Sequence, residues 1–293
     1  MTPKNWIMAA RPKTLTAALV PILVGTSLAY TLVGSAHLIL SLFAFLSAVF
    51  IQIGTNLIND ALDFKKGADT AERQGPVRVT QSGLMTPAQV GWGGFFCFLM
   101  AIGLAIPLVV AGGKTIVVIG LLSLLAGYLY TGSSLALAYT GLGDLFVLIF
   151  FGWVAVGGVY FLHSGTWNLS MMIAATQVGL LATVLIAINN LRDYQTDQKV
   201  SKRTLAVRFG PTFARCEITV LCFMPFIAGV YWLQNQLIFA FVLPLLMLPI
   251  AVRLVQQIWT TSPGRIYNQF LGQGALLHLS FGVLLSLGIL SGR

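Results

Sequence analysis

Acidic and amide side chains recur in this sequence in two short motifs whose spacing suits metal binding. In chain order the members are Asn56, Asn59, Asp60, Asp63, Asn189, Asn190, Asp193 and Asp197. Within each motif several members are three or four residues apart, so on a helix they would share one face. Carboxylates that lie close together repel one another, and they are tolerated when a cation lies between them.

The ligand types in the two motifs favour magnesium. Both motifs offer only oxygen atoms and contain neither histidine nor cysteine, and hard oxygen ligands suit Mg²⁺ better than zinc. Mg²⁺ usually keeps several of its positions for water and substrate phosphate. We therefore predict four catalytic metal ligands and one weaker candidate. These are Asp60, Asp63, Asp193 and Asp197, with Asp69 as the weaker candidate.

Basic side chains follow each motif, where they could neutralise phosphate oxygens directly. Together with the motif amides they are predicted to bind the diphosphate of a lipid substrate. The predicted set is Asn56, Asn59, Lys65, Arg73, Arg78, Asn189, Asn190, Arg192, Lys199, Lys202 and Arg203. The two acids that lie outside both motifs and the loops that follow them, Asp144 and Glu217, are predicted to be local helix caps or ion-pair partners.

The composition defines the elements that must position these residues. Hydrophobic residues make up 57% of the 293 residues and charged residues only 9%, and the mean hydropathy is +0.87. These values exclude a soluble globular protein, a disordered chain and a disulfide scaffold, and they indicate a polytopic membrane protein. We predict an all-α fold of nine transmembrane helices around a central cavity, in one domain covering 1–293. The predicted spans are Pro12–Leu32, Leu38–Ile58, Val90–Val110, Thr115–Tyr130, Leu142–Leu162, Met171–Leu191, Ile218–Leu233, Leu237–Ile258 and Leu271–Leu290.

The distribution of positive charge predicts the orientation. Of the 17 lysines and arginines, all except Lys114 and Arg293 fall on one side of the nine predicted spans. The positive-inside bias places that side, with the N-terminus, in the cytoplasm. The two long polar loops, 59–86 and 192–216, are then cytoplasmic, and they lie beside the two motifs. The recurrence of the motif predicts two related halves that face each other across the cavity.

Long phrases of the sequence resemble a known family. NLINDALDFKKGAD (56–69), GPVRVTQSG (75–83) and NNLRDYQTDQKVSKRTLAVRFG (189–210) are similar to the UbiA superfamily of intramembrane prenyltransferases. Within it they resemble the MenA branch, the 1,4-dihydroxy-2-naphthoate polyprenyltransferases of menaquinone biosynthesis. The resemblance implies a nine-helix, Mg²⁺-dependent enzyme of the bacterial cytoplasmic (inner) membrane, with its site facing the cytoplasm. It would transfer a polyprenyl group from a polyprenyl diphosphate to 1,4-dihydroxy-2-naphthoate, releasing diphosphate and CO₂ and giving demethylmenaquinone.

Other functions stay open at this stage. Prenylation of another aromatic acceptor, such as 4-hydroxybenzoate, is the alternative within the superfamily. Its hydroxybenzoate branch usually has an acid where Gly67 stands and a basic residue after Tyr130-Thr131. A secondary transporter could also contain two repeats, but its acids are expected at the bilayer midplane rather than at helix ends. A CDP-alcohol phosphotransferase would show an aspartate pattern that is missing from this sequence. Nucleic acid is not an expected partner.

The aromatic acceptor is predicted to bind by burial. Phe150, Phe151 and Trp153 on the fifth predicted span are candidates for the pocket wall. A carboxylate that leaves as CO₂ gains nothing in the transition state from a cation that holds it. The sequence argument therefore predicts that the pocket has no fixed anchor for the carboxylate. The alternative is that Arg192 or Lys202 from the opposite loop replaces the missing base.

Overall fold

The computed structural model describes residues 2–67, 74–132 and 137–292, and in these ranges it contains helices and no strands. The helices are α1 (Pro3–Ala10), α2 (Pro12–Val33), α3 (Leu38–Lys65), α4 (Pro87–Gly132), α5 (Leu137–Thr140), α6 (Gly143–Val147), a π-helical segment (Leu148–Val154), α7 (Ala155–Ser164), α8 (Leu169–Lys199), α9 (Leu205–Ala228), α10 (Val230–Gln234), α11 (Ile238–Leu245), α12 (Leu248–Thr260) and α13 (Tyr267–Leu290). The all-α prediction is confirmed. Asp69 and Arg73 lie outside the described residues.

The described helices are long and apolar enough to cross a membrane several times. Seven qualify as single spans, and α11 with α12, bent by 44°, would make an eighth. One of the seven, α4, contains a non-helical residue, Gly113. The chain turns back at Gly113, so that the two halves of α4 lie side by side. Their proximity is shown by Gly127, where an added Cβ atom would lie 3.4 Å from the ring of Phe98. The protein is thus a multi-pass membrane protein, while the predicted count of nine stays a prediction.

The core of the bundle lies between α2, α8, α9 and α13. Leu28, Leu181, Ile218 and Leu285 are among the buried side chains of its largest apolar cluster. Large apolar residues also cover the outer surface, where Val110 is 81% exposed. A bundle that is apolar on both its inside and its outside is suited to lipid rather than to water.

The two helices that carry the motifs are longer than the sequence predicted. Helix α3 continues from the predicted end at Ile58 to Lys65, and α8 continues from Leu191 to Lys199. Hydropathy indicates only the part of a helix that lies in hydrocarbon, so the polar final turns were missed. Because of this extension both motifs lie on regular helix, and the i,i+3 and i,i+4 spacing acts as the sequence analysis assumed.

A close approach of two backbones accompanies the π-helical segment. Gly152 of this segment faces α8, where an added Cβ would lie 2.5 Å from the carbonyl oxygen of Ala175 and 3.0 Å from the Cα of Gly179. Only glycine permits this contact between the two elements. The i→i+5 hydrogen bonds of the π-helix widen the turn, so side chains here point in other directions than on an α-helix.

We expect Gly152→Ala to destabilise the protein, because the new methyl group would overlap the backbone of α8. Overpacking of this kind costs about 1–3 kcal/mol. Gly103→Ala is the matched control, since nothing lies within 4 Å of a Cβ at that helical position. There the exchange should stabilise by about 0.5–1 kcal/mol. The midpoint of thermal unfolding in detergent measures both, and a Gly152→Ala protein as stable as the control would contradict the proposed contact.

Candidate active site

Asp63 of the first motif is the acceptor in a compact ionic contact. Its Oδ2 lies 2.7 Å from Nη2 of Arg78, and both side chains are largely buried. The hydroxyl of Tyr139 donates to Oδ1 at 2.8 Å, and Nη1 of Arg78 donates to the carbonyl of Asn59 at 3.0 Å. The prediction that Arg78 lies beside the first motif is thus matched by a direct contact. The carboxylate is thus held from both sides by side chains of the protein.

Asp60 has a different environment from Asp63. It is 1% exposed, and its carboxylate accepts hydrogen bonds from the backbone amides of Val79 and Thr80, both at 3.3 Å. The hydroxyl of Thr80 donates to the same carboxylate in a short contact. These bonds fix the segment that follows Arg78 onto α3. Asp60 therefore anchors the loop that presents Arg78, which the sequence analysis did not foresee.

Asn56, one turn before Asp60, holds the junction between α1 and α2. Its Nδ2 donates to the carbonyl of Ala10 at 3.0 Å and to Oγ1 of Thr14 at 3.1 Å. The predicted contact of Asn56 with diphosphate stays a prediction, and its Nδ2 is engaged with the protein. It also lines the cavity described below, as do Asn59 and Asn189.

The second motif contains two further acid–base pairs. Arg192 forms a two-pronged contact with its neighbour Asp193, at 2.9 Å from Nε to Oδ1 and 2.6 Å from Nη2 to Oδ2. Its Nη1 donates to Oδ1 of Asn268 on α13 at 2.7 Å. One turn later, Nζ of Lys202 lies 3.1 Å from Oδ2 of Asp197. A bidentate arginine–carboxylate pair is the strongest common form of this contact.

Tyr139 on the short helix α5 connects the two motifs. Its hydroxyl binds Asp63, and its ring lies 5.0 Å from Nζ of Lys66 and 5.9 Å from Nζ of Lys202. Cations at this distance from an aromatic ring are attracted to its face. Because Lys202 also pairs with Asp197, one chain of contacts runs from the first motif to the second. The convergence of the motifs was predicted, whereas the tyrosine between them was missed, since no spacing rule marks it.

Asp144, at the start of α6, contacts the second motif. It is 4% exposed, and both its carboxylate oxygens accept hydrogen bonds from Nδ2 of Asn190, at 3.3 and 3.1 Å. Asp144 also lies in the first turn of α6, where a local capping role was predicted, and the contact with Asn190 is an additional link that the sequence did not indicate. Asn190, predicted to contact diphosphate, uses its amide to hold α6 against α8.

The remaining predicted bases are spread around the site. Lys65 and Arg203 are exposed, and the backbone amide of Arg203 donates to the carbonyl of Tyr139 at 3.0 Å. Lys199 lines a second, polar depression of about 680 Å³ together with Gln74 and Arg265. These positions are compatible with phosphate binding.

A cavity of about 300 Å³ extends from the polar region into the bundle. Its amide-bearing end includes Asn56, Asn59 and Asn189, and the rest is mainly apolar. Phe146 and Phe150 stack in its wall with ring centroids 4.3 Å apart. Ligand pockets commonly combine such an apolar body with a few polar groups.

The predicted aromatic wall is correct for two of its three members. Phe150 and Phe151 line the cavity. Trp153 does not, because it is 37% exposed and its Nε1 donates to Oγ1 of Thr176 at 3.0 Å. On a regular α-helix residues 150 and 153 would lie on similar faces. The π-helical segment separates them, and sequence periodicity gave no sign of it.

The donor set of the two motifs fits a hard cation in its chemistry. Each of three aspartates, Asp63, Asp193 and Asp197, is paired with a basic side chain. The negative charge of each carboxylate is therefore balanced, and a metal ion could take the place of the basic partner. In the part of the chain that the structure describes, no three acidic, histidine or cysteine side chains are close enough to hold a metal ion by themselves. The predicted metal site therefore stays a prediction.

Fold and site together define an integral membrane protein with an aromatic cavity. The charged region next to the cavity, formed by the ion pairs of Asp63, Asp193 and Asp197, is called the mouth. This arrangement is suited to an anionic lipid. Residues 18–281 match the model of the UbiA prenyltransferase family. The chain is 33% identical to the 1,4-dihydroxy-2-naphthoate octaprenyltransferase of Haemophilus influenzae, covering 99% of this chain and 96% of that protein. It is 37% identical to the protein of the same name from Escherichia coli, over 72% of this chain and 70% of that one. The protein belongs to the UbiA prenyltransferase family.

The fold agrees with that of a solved relative. The structure of a UbiA homolog from Archaeoglobus fulgidus bound to DMAPP and Mg²⁺ superimposes with a TM-score of 0.65 at 16% sequence identity. The match covers 96% of this chain and 99% of that chain. At this identity the likeness concerns the fold. It supports the all-helical architecture that resemblance had implied.

Asp60→Asn should lower stability, because a side-chain amide presents fewer acceptors to the donors of Val79 and Thr80. A buried hydrogen-bonding group left without its partner costs about 1–3 kcal/mol. Thr80→Ala removes one of the donors and should cost less. Thermal unfolding of the purified proteins, with limited proteolysis of the loop around Arg78, measures the difference. Wild-type stability of Asp60→Asn would show that Asp60 does not anchor the loop.

Proposed function

We propose that this protein transfers a polyprenyl group from a polyprenyl diphosphate to 1,4-dihydroxy-2-naphthoate, with release of diphosphate and CO₂. The product is the reduced, dihydroxy form of a demethylmenaquinone, because replacing the carboxylate by a prenyl group does not oxidise the ring. The observation that carries the proposal is the contact chain from Asp63 through Tyr139 and Lys202 to Asp197, set at the polar end of an aromatic cavity. Relatives named for this reaction match most of the chain.

Asp63, Asp193 and Asp197 are the residues that would hold Mg²⁺ in this proposal, and Asp60 supports them by anchoring the adjoining loop. Their oxygen donors are those that Mg²⁺ prefers, and the ion keeps positions open for phosphate. When bound, Mg²⁺ stabilises the negative charge that develops on the departing diphosphate. That the related Archaeoglobus structure contains DMAPP and Mg²⁺ supports this assignment.

Arg78, Arg192 and Lys202 change partners when substrate binds. In the structure they pair with the aspartates, at distances of 2.7, 2.6 and 3.1 Å. If a metal ion and a diphosphate were bound, the aspartates would contact the metal ion. The basic side chains would then contact the phosphate oxygens. Electrostatic complementarity favours this exchange, and charge-assisted bonds to phosphate are strong. The bases then stabilise the leaving group where its charge develops.

The cavity protects the reactive carbon chain. As the allylic C–O bond breaks, its electron pair leaves with the diphosphate and the prenyl chain becomes cationic. An apolar cavity excludes the water that would otherwise capture the cation. The faces of Phe146 and Phe150 also offer negative quadrupole density to a cation. The ring carbon that bears the carboxylate forms the new bond to the prenyl cation. The C–CO₂ bond then breaks, CO₂ leaves, and the electrons of that bond return to the ring.

We place this site on the cytoplasmic face of the bacterial inner membrane, with the N-terminus in the cytoplasm. The positive-inside distribution supports the orientation, because the bases near both motifs, including Arg78, Arg192 and Lys202, are on one side. A membrane-embedded cavity with a charged mouth lets the prenyl tail remain in an apolar environment. The diphosphate stays at the aqueous surface where Mg²⁺ is available.

Product analysis with purified protein tests the proposed reaction. With a polyprenyl diphosphate, Mg²⁺ and equal amounts of 1,4-dihydroxy-2-naphthoate and 4-hydroxybenzoate, the main product should be the prenylated naphthalene without its carboxylate. EDTA should stop the reaction and Mg²⁺ restore it. Mass spectrometry identifies the product. A dominant hydroxybenzoate product, or a naphthalene product that keeps its carboxylate, would rule out the proposed acceptor chemistry.

Carboxylate-to-amide variants test the roles of the second motif in the same assay. Asp193→Asn and Asp197→Asn should each reduce turnover at least about a hundredfold, an effect of the size seen for lost transition-state electrostatics. Glu217→Gln, the same chemical change outside both motifs, should retain activity. If both motif variants turn over at the wild-type rate, these aspartates do not hold the metal–diphosphate group.

A further inference from the structure

Arg11 occupies an unusual backbone position at the junction of α1 and α2. Its φ is 53° and its ψ 67°, in the left-handed region, although it has a side chain and precedes Pro12. A non-glycine residue held there costs about 1–3 kcal/mol and persists only where its surroundings enforce it. Such positions concentrate at functional sites, so the side chain that this backbone presents is of interest.

The surroundings of Arg11 do enforce its conformation. The carbonyl of Arg11 accepts hydrogen bonds from the amide and the hydroxyl of Thr14, both at 2.9 Å. Thr14 in turn accepts from Nδ2 of Asn56, which also binds the carbonyl of Ala10. The first motif therefore clamps the residues on either side of the junction. A structural purpose alone would be served by glycine, which adopts this conformation without strain.

The Arg11 side chain belongs to the cavity wall. Of the described residues that line the cavity, Arg11 is the one that carries a charge, and its Nη2 is buried. The same wall contains the stacked rings of Phe146 and Phe150, with Tyr130 6.1 Å from Phe146. A guanidinium group and an aromatic platform thus line one cavity of about 300 Å³. Together they are complementary to a flat aromatic ring that bears an anionic substituent.

We propose that Arg11 binds the carboxylate of the aromatic acceptor. The guanidinium fork matches a carboxylate in two parallel hydrogen bonds, and such a pair is strong where water is excluded. The pairing orients the ring beside the aromatic wall before the carbon–carbon bond forms. It is an interaction of the bound ground state, so it lowers KM and gives specificity for acidic acceptors without assisting the loss of CO₂.

This inference rests on the proposed acceptor and differs from one expectation of the sequence analysis. A fixed anchor is of no benefit in the decarboxylating transition state, as the sequence argument held. The anchor still benefits recognition of the substrate, because a purely apolar pocket would not distinguish the acid from a neutral naphthol. The cation that serves this role comes from the α1–α2 junction rather than from the loop after Tyr130.

Two variants of Arg11 separate the side chain from the backbone. Arg11→Gly removes the guanidinium and relieves the left-handed strain, so the junction remains foldable. It should raise KM for 1,4-dihydroxy-2-naphthoate at least tenfold and leave KM for the polyprenyl diphosphate within twofold. Arg11→Lys keeps the charge without the fork and should have an intermediate KM for the acceptor. Steady-state kinetics on protein in detergent gives both constants.

Inhibitors that differ only in the carboxylate provide the second readout. 1-Hydroxy-2-naphthoate should inhibit the wild type at least tenfold more strongly than 1-naphthol does. The two compounds should inhibit the Arg11→Gly variant equally. Unchanged acceptor KM in Arg11→Gly, or an unchanged preference between the inhibitors, would overturn the inference. So would a rise in KM for the diphosphate substrate alone, which would assign Arg11 to that anion. If the wild type forms no prenylated naphthalene, the proposed function itself has failed.

Discussion

Charge neutrality at the mouth of an apolar bundle is the constraint on which the rest of this structure depends. Carboxylates close to hydrocarbon are costly unless they are paired. Asp63, Asp193 and Asp197 each meet this requirement with an arginine or lysine at 3.1 Å or less. Under the proposed function a metal ion and a diphosphate would replace the partners of both charges. The ion pairs that stabilise these carboxylates would then also prepare the site for substrate.

The framework around the mouth keeps these pairs in register with the cavity. Asp60 fixes the loop of Arg78 onto α3, Asn190 fixes α6 through Asp144, and Asn56 fixes the α1–α2 junction. These three motif residues therefore act through the protein before they act on any ligand. Of the three, Asn56 also lines the cavity. Substitution of any of them would disturb the geometry as well as the chemistry.

The sequence predicted the features that follow from composition and spacing. An all-helical membrane fold, two polar motifs that converge, and an aromatic wall with Phe150 and Phe151 could all be foreseen. Tyr139, Asp144 and the π-helical segment could not, because each depends on a contact between distant elements. Gly152 against Gly179 is an example, since neither glycine marks the widened turn on its own. Trp153 was a candidate for the same wall, and only the π-helical turn at Leu148–Val154 separates it from Phe150.

The exchange of partners at the mouth is tested most directly by a structure of the protein with Mg²⁺ and a non-hydrolysable polyprenyl thiodiphosphate. Cryo-electron microscopy in a lipid nanodisc would resolve the side chains. We predict that Arg78, Arg192 and Lys202 leave their aspartates and contact phosphate oxygens, while Asp63, Asp193 and Asp197 face the metal ion. Basic side chains that remain on the aspartates, with the diphosphate bound elsewhere, would contradict the account.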